Sequence, residues 1–355
     1  MFYIKNIKIS NFRCYDNKKI DFDNSINVLV GDNGVGKTSI VEAIGYLAIG
    51  KSFRNVKDID VLKQNEAFFS LVYNIISDEK EEKVVVYFDN KGKKISRNDK
   101  MYAKMSDFFA EIGLISFSPD DIKIIKGSPC DRRKYIDLCL CQIDKSYLLY
   151  LNNYAKLLKE RNELLKKWEN SVKQSIFLDV IDAKIAEYAI NIIEKRASFI
   201  SKTNSLLKKY SNVLTDNEDK VEMEYIPKAS AENYIKELKN RRDHDIYMQT
   251  TTCGPHRDEV NFVINDKIAS STASQGQIRS AVLSLKLCFS NMLEQINKNS
   301  IIIMDDVLSE LDTKRQKQVF KMFNNDTQIF ITCTSVEGIS EDLLNNSNII
   351  VVGKE

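Results

Sequence analysis

Apolar and polar residues alternate along the first thirty positions. Ile7, Ile9 and Phe12 suit a first strand and its turn, and Ile20 and Phe22 alternate with Asp21 and Asp23 in the period of a half-buried strand. Residues 26–30 form a short apolar run, as in a strand buried on both faces, and Gly31-Asp32-Asn33-Gly34 breaks it. From Thr38 to Ile49, Val, Ile, Ala and Leu predict a helix. Strand-like segments return at 68–76 and 83–88 around the charged tip Asp78-Glu79-Lys80-Glu81-Glu82, and Asn90-Lys91-Gly92-Lys93-Lys94 reads as a further turn.

The pattern changes near Cys130. Between there and Lys208 neither Pro nor Gly occurs, and apolar residues recur at helical spacing: Leu151, Tyr154, Leu158, Leu165, Trp168, then Ile181, Ile185, Tyr188 and Ile192. Long amphipathic helices packed antiparallel are expected, with Tyr154 and Trp168 read as core. Residues 211–240 are mixed and polar and read as a linker with short elements. From Asp245 the β/α alternation returns, with a strand at 260–264, a turn at Asn265-Asp266, a helix carrying Ile278, Val282, Leu285, Phe289, Met292 and Ile296 on one face, and strands at 300–304, 328–332 and 349–352. The expected organisation is an α/β head split between residues 1–129 and 245–355, with a helical lobe of short antiparallel helices at 130–244.

Bulk properties narrow the class only slightly. With 355 residues, 52 Lys+Arg and 50 Asp+Glu, the formal net charge is +2. Nucleic-acid binding therefore needs a local basic face, because the chain has no global excess. No stretch approaches the roughly 20 apolar residues of a membrane span, and the charges within residues 1–13 argue against a signal peptide. The seven cysteines are odd in number and scattered, which fits reduced thiols in a cytoplasmic protein better than disulfides or a zinc site.

The chemistry begins at residues 31–38, Gly-Asp-Asn-Gly-Val-Gly-Lys-Thr, a full match to the phosphate-binding P-loop between a strand and a helix. Glycines let backbone N–H groups wrap a phosphate, and the helix that follows turns its positive end to the anion. Gly31, Asn33, Gly34, Gly36, Lys37, Thr38 and Ser39 are the candidate nucleotide-binding residues. Lys37 reaches the terminal phosphates of ATP, and Thr38 offers a hydroxyl to Mg²⁺. Residues 301–306, Ile-Ile-Ile-Met-Asp-Asp, are an apolar strand delivering two carboxylates to a sheet edge. Asp305 is the expected second Mg²⁺ residue and Asp306 the expected general base. A compact GTPase would not place these motifs at opposite ends of the chain, so a split head fits better.

Ser274-Gln275-Gly276-Gln277 precedes the strong helix and reads either as a helix N-cap or as an anion site. Its place ahead of Asp305 resembles the ABC ATPases, whose Ser-x-Gly-Gln signature binds the γ-phosphate of the opposite subunit. Ser309, Glu310 and Asp312 resemble their D-loop, with a plain acidic helix start as the alternative.

Several further motifs are similar to the RecF family of bacterial DNA replication and repair proteins. They are Ile9-Ser10-Asn11-Phe12-Arg13-Cys14-Tyr15, residues 31–44, Gly50-Lys51-Ser52-Phe53-Arg54, Phe117-Ser118-Pro119-Asp120-Asp121, Lys126-Gly127-Ser128-Pro129, Arg132-Arg133, Gly254-Pro255-His256-Arg257-Asp258 and residues 305–312. The resemblance implies a Rad50/SMC-like ABC-type ATPase head with an inserted, mainly helical lobe. It also implies an ATP-dependent homodimer that binds DNA at gaps and, with RecO and RecR, promotes RecA loading. It assigns Lys37, Thr38, Asp305 and Asp306 to Mg²⁺ and hydrolysis, and Ser274, Gly276 and Gln277 to the signature. Arg54 and His256 match family motifs without an assigned role; His256 is open between a structural role and one at the nucleotide site or lobe interface.

Relative to ABC transporters, Asp306 stands where Glu is usual and no histidine follows residues 328–332, so Thr332 and Thr334 are the candidate substitutes. Both departures fit slow hydrolysis used as a switch. A transporter nucleotide-binding subunit is the alternative reading; an OLD-like nuclease lacks a region for its second domain, and a structural chromosome protein lacks the long arms. Lys91, Lys93, Lys94, Arg132, Arg133, Arg241 and Arg242 are candidate DNA contacts.

Overall fold

The computed structural model describes residues 2–54, 56–109, 111–216, 218–324 and 326–353. In chain order the strands are β1 (Phe2–Phe12), β2 (Tyr15–Asp21), β3 (Ile26–Val30), β4 (Phe68–Ser77), β5 (Lys80–Asp89), β6 (Gly92–Arg97), β7 (Lys100–Met101), β8 (Gly113–Phe117), β9 (Val221–Ile226), β10 (Glu259–Ile264), β11 (Lys267–Ile268), β12 (Ser300–Asp305), β13 (Gln328–Cys333) and β14 (Ser347–Val351). The principal helices are α1 (Lys37–Ile49), α2 (Pro129–Ile143), α3 (Lys145–Lys166), α4 (Val172–Leu214), α5 (Tyr234–Asn240), α6 (Gln275–Gln295) and α7 (Thr313–Lys321). The chain divides into two units, one of residues 1–121 with 283–355 and one of residues 122–282.

The first unit holds a parallel sheet in the order β14-β3-β13-β12-β8 and an antiparallel sheet in the order β2-β1-β4-β5-β6-β7. Residues 28–30 of β3, 301–304 of β12 and 329–331 of β13 are continuously apolar, as in strands covered on both faces. Helix α1 packs on β8, β12 and β13 of the parallel sheet and on β1 and β5 of the antiparallel one. That double contact is why it is apolar all round: Ile40, Val41, Ala43, Ile44, Tyr46, Leu47 and Ala48 are all buried. Rings of Phe12, Tyr46 and Phe69 meet edge to face beside it. The buried Gln328 amide accepts from the Ile4 N–H and donates to the Ile4 carbonyl, tying β13 to β1.

The strand order has a chemical consequence. β13 lies between the P-loop strand β3 and β12, with Thr332 opposite Asp305 and Cys333 opposite Val30. All five strands run parallel, so their C-terminal ends collect on one edge, where open α/β sheets bind ligands.

The second unit is built on α2, α3 and α4 with a three-stranded sheet ordered β11-β10-β9. Helix α2 has 15 residues, α3 22 and α4 43, the last spanning about 64 Å, so the expected short helices are in fact one short, one medium and one long. Helix α4 extends to Leu214, into the segment expected to be linker. The sequence boundary at 245 differs from the observed division. β10 pairs antiparallel with β9, outside both sheets of the first unit, and residues 245–282 belong to the second unit.

Buried ion pairs organise this unit. The fully buried Arg161 of α3 donates to Asp182 at 2.7 Å, to Asp245 at 2.7 Å and to Thr251 at 2.9 Å. Arg196 of α4 forks onto Asp137 and also donates to the Pro255 carbonyl at 2.7 Å. Gly254 adopts φ 134°, and a Cβ there would stand 2.5 Å from the hydroxyls of Tyr154 and Tyr234, so only glycine fits this turn.

Candidate functional site: a nucleotide-binding sheet edge

The break after β3 starts the loop of residues 31–36, and α1 begins at Lys37. Gly36 has φ 101°, and a Cβ there would meet the Tyr15 hydroxyl at 2.5 Å and Cys14 Sγ at 2.8 Å. Glycine is therefore required twice, by backbone conformation and by the β1–β2 turn lying against the loop. The Tyr15 hydroxyl donates to the Val35 carbonyl at 3.3 Å, and Cys14 Sγ lies 4.0 Å from Ser39 Oγ. Asp32, Asn33 and Gly34 are exposed at the loop tip.

Lys37 is buried, and its ammonium donates to the Gly31 carbonyl at 2.7 Å and the Asp32 carbonyl at 2.9 Å. The loop thus curls around its own lysine and fixes the positive charge at the start of α1. Thr38 donates from Oγ1 to Asp305 Oδ1 at 2.9 Å, joining the two motifs that lie far apart in sequence. Thr332 donates to the same oxygen at 2.8 Å and accepts the Asp306 N–H at 3.0 Å. One hydroxyl therefore holds the Asp305 carboxylate and the Asp306 backbone together, whereas Thr334 is exposed. Asp306 is in the left-handed region, φ 55°. This conformation turns the chain sharply at the strand end and is uncommon for a residue other than glycine.

Burial raises the Asp305 carboxyl above the usual carboxylate range; the Thr332 and Thr38 hydroxyls draw it back, the Asp306 charge raises it, and Arg54 lowers it. A buried carboxylate beside a threonine hydroxyl is a hard-oxygen pair that suits Mg²⁺, whose charge would offset the burial.

Sequence reasoning missed Glu42. It lies fully buried in α1, and Arg13 grips it with two bonds of 2.8 Å. Ser52 also donates to Glu42 and accepts the Arg54 N–H at 3.0 Å. The carboxylate thereby anchors the loop that carries the exposed Arg54. A lone Glu within Ile40-Val41-Glu42-Ala43-Ile44 was the available signal.

Ser274 and Gln277 form a reciprocal cap at the start of α6. The Ser274 hydroxyl accepts the Gln277 N–H at 3.2 Å, and the Gln277 amide oxygen accepts the Ser274 N–H at 3.0 Å. The Gln277 amide nitrogen also donates to Asp219 at 2.8 Å. The N-cap reading is thus realised, while Ser274, Gln275 and Gly276 stay exposed on the second unit. Asp312 caps α7 through the Arg315 N–H at 2.8 Å, and Ser309 donates to the Asp306 carbonyl at 3.2 Å. The Glu310 side chain lies outside the described residues.

His256 is held within the second unit. Nδ1 pairs with the Tyr154 hydroxyl at 2.6 Å and Nε2 with the Thr251 carbonyl at 3.0 Å. Burial pushes its pKa down to about 4, so the ring is neutral and structural at neutral pH.

Most of the expected DNA contacts are engaged elsewhere. Lys93 pairs with Asp58 at 2.7 Å, and Arg132 is buried and bonds the Gly127 carbonyl. Arg133 bonds the Asp258 carbonyl, Arg241 pairs with Glu237, and Arg242 with Asp179 and Asp182. Lys94 and Lys91 are exposed and outside such pairs among the described residues.

Comparisons with known proteins agree along nearly the whole chain. A family model described as an AAA domain matches residues 6–244. The DNA replication and repair protein RecF of Clostridium tetani is 34% identical over 99% of this chain and 98% of its own. A solved RecF with ATP, described as a recombination mediator protein in the RecFOR pathway, is 33% identical with a TM-score of 0.89, covering 96% of this chain and 94% of that one. An Smc head domain with an extended coiled coil, bound to the C-terminal domain of ScpA and derived from Pyrococcus furiosus, is 17% identical over 97% of this chain and 91% of that one. Its TM-score is 0.52, and it shares the fold alone.

Proposed function

The chain belongs to the RecF family of DNA replication and repair proteins, and on that footing we propose that it is an ATP-switched recombination mediator. In this reading ATP binds at residues 31–39, and a second copy supplies Ser274, Gln275, Gly276 and Gln277 against the terminal phosphate. The resulting homodimer binds DNA at gaps and junctions, and with RecO and RecR promotes RecA loading. Hydrolysis is slow and resets the dimer.

The observation that carries the reading is the cluster in which Thr38 and Thr332 both bond Asp305 while Thr332 holds Asp306. Lys37 exchanges its two loop carbonyls for the β- and γ-phosphates, contributing charge where negative charge develops. Mg²⁺, held by Thr38 and Asp305, would neutralise phosphate charge when bound. Asp306 accepts the proton of the attacking water, its backbone held by the N–H bond to Thr332. Ser309 and Asp312 shape the turn after it.

A gapped-DNA assay tests the function. Binding is expected with ATP and Mg²⁺ and not without them, and RecA filament assembly at the gap is expected to accelerate when RecO and RecR are added. Lys37→Ala removes both effects. DNA binding that ignores ATP, or RecA loading unchanged by this protein, contradicts the proposal.

A further inference from the structure

Antiparallel pairing decides which side chains share a face, and on the six-stranded sheet it segregates charge. The inner face carries Ile7, Ile9, Leu71, Tyr73 and Ile75, all fully buried. The residues between them point the other way. Across β2, β1, β4 and β5 that outer face aligns Lys19, Lys8, Val72 and Val85 directly opposite one another. The next row aligns Ser10, Ser70, Tyr87 and Lys94 across β1, β4, β5 and β6. Neither row holds an Asp or Glu, in a chain whose acids and bases nearly balance.

Three features give this face a ligand. Lys8 and Lys19 are directly opposed like charges, a pairing that destabilises a bare sheet and is relieved by an anion. Phe68, 37% exposed, stacks on Tyr87 with ring centroids 5.5 Å apart at 23°, leaving an aromatic step on the surface beside Lys94. Lys8 and Lys94 stand three strands and one row apart, about 16 Å, and flank that step. The acids of this face lie outside those two rows: Asp21 pairs with Lys19 at 3.2 Å in an exposed contact of little worth, Glu81 pairs with Lys5 at 3.2 Å, and Asp89, opposite Phe68, accepts the Lys91 N–H.

We propose that this outer face is a binding platform for single-stranded DNA, with phosphates on Lys8, Lys19 and Lys94 and a base stacked on the Phe68–Tyr87 step. Lysines around exposed rings on an open sheet are the arrangement that binds unpaired strands, since every base has a π-face and every nucleotide a phosphate. A duplex, its bases already stacked, would use the lysines alone. The proposal rests on the DNA-binding reading above and assigns it a surface.

The test is fluorescence anisotropy of a labelled oligothymidylate and of a duplex of equal length, with the full chain, ATP and Mg²⁺, across a salt series. Lys8→Gln with Lys94→Gln is expected to weaken oligothymidylate binding roughly tenfold and to reduce the salt slope by about 1.4, the share of two phosphate contacts. Tyr87→Ala is expected to weaken oligothymidylate about tenfold and leave the duplex unchanged. ATP-dependent dimerisation, read by sedimentation, stays intact in each variant because all these side chains are at the surface. Unchanged affinity and slope in the lysine variant, while wild type binds DNA, overturns the platform and leaves the DNA-binding reading standing. A loss confined to the duplex also overturns it. Wild type that binds neither oligonucleotide with ATP removes both proposals.

Discussion

Buried carboxylates occur in both units, and their partners differ in kind. In the second unit Asp182 and Asp245 face Arg161, a permanent cation with no exposed surface, and threonines complete the cluster. Charge there is neutralised within the chain. In the first unit Asp305 is nearly as buried, yet its bonded partners are two neutral hydroxyls, and the nearby cation Lys37 is turned onto backbone carbonyls. Among the described residues that carboxylate has no cation in hydrogen-bond contact, and burial raises its pKa. Similar residue types thus make a closed brace in one place and an open receptor in the other. A brace is satisfied before any ligand arrives; a receptor keeps a deficit that a cation and a nucleotide fill.

The comparison can be broken most severely at the brace. Arg161→Leu leaves the buried Asp245 without its cation and Asp182 with Arg242 alone, and is expected to cost about 3–5 kcal/mol of stability, read by chemical denaturation. Lys37→Ala, at the receptor, is expected to abolish ATP binding with little change in that transition. Equal destabilisation by both would erase the distinction. Next in size, Asp306→Asn is expected to slow ATP turnover by about 100-fold or more while ATP affinity stays within a few-fold.

A pH series separates the units further. His256 is depressed to about 4 from an ordinary 6.5. Between those values the unfolded chain binds a proton that the folded one refuses, so stability is full above pH 6.5 and falls as the pH drops toward 4. The slope attributable to this ring is about 1.4 kcal/mol per pH unit. His256→Gln is expected to flatten the profile by that amount in this window, and an unchanged slope would contradict the neutral, buried ring. Smallest is Thr332→Val, which removes one donor to Asp305 and lets its carboxyl rise further. The acid limb of ATP hydrolysis should move to higher pH; a downward shift would contradict the assigned hydrogen bond.

How much of this was legible in the chain depends on how local the determinants are. The P-loop was legible because a strand, a glycine-rich break and a helix are contiguous, and the chemistry constrains each position. Asp305 was legible because four apolar residues deliver it to a sheet edge. The unit boundary at 245 was not, because residues 260–264 alternate as any half-buried strand does, and only pairing with β9 decides which sheet they join. Glu42 was passed over because a helix of strong apolar pattern hides one charged position whose partner, Arg13, sits in another element. Five of the seven basic candidates are engaged within the chain, and sequence did not separate them from Lys91 and Lys94 for a related reason: a lysine or arginine looks alike in sequence whether it meets solvent or a carbonyl. Arg132 and Arg242 are structural, whereas Lys8 and Lys19 gain significance only from strand register.

The central claim is that two copies share each nucleotide, the P-loop edge of one closing on the Ser274 turn of the other. Sedimentation of wild type, Asp306→Asn, and Asp306→Asn with Ser274→Arg, each with and without ATP and Mg²⁺, addresses it most directly. The account predicts an ATP-dependent dimer that Asp306→Asn makes persistent and Ser274→Arg abolishes, with ATP still bound to the monomer. Monomers throughout, with ATP bound to wild type and to Asp306→Asn, would contradict the shared site and the switch built on it.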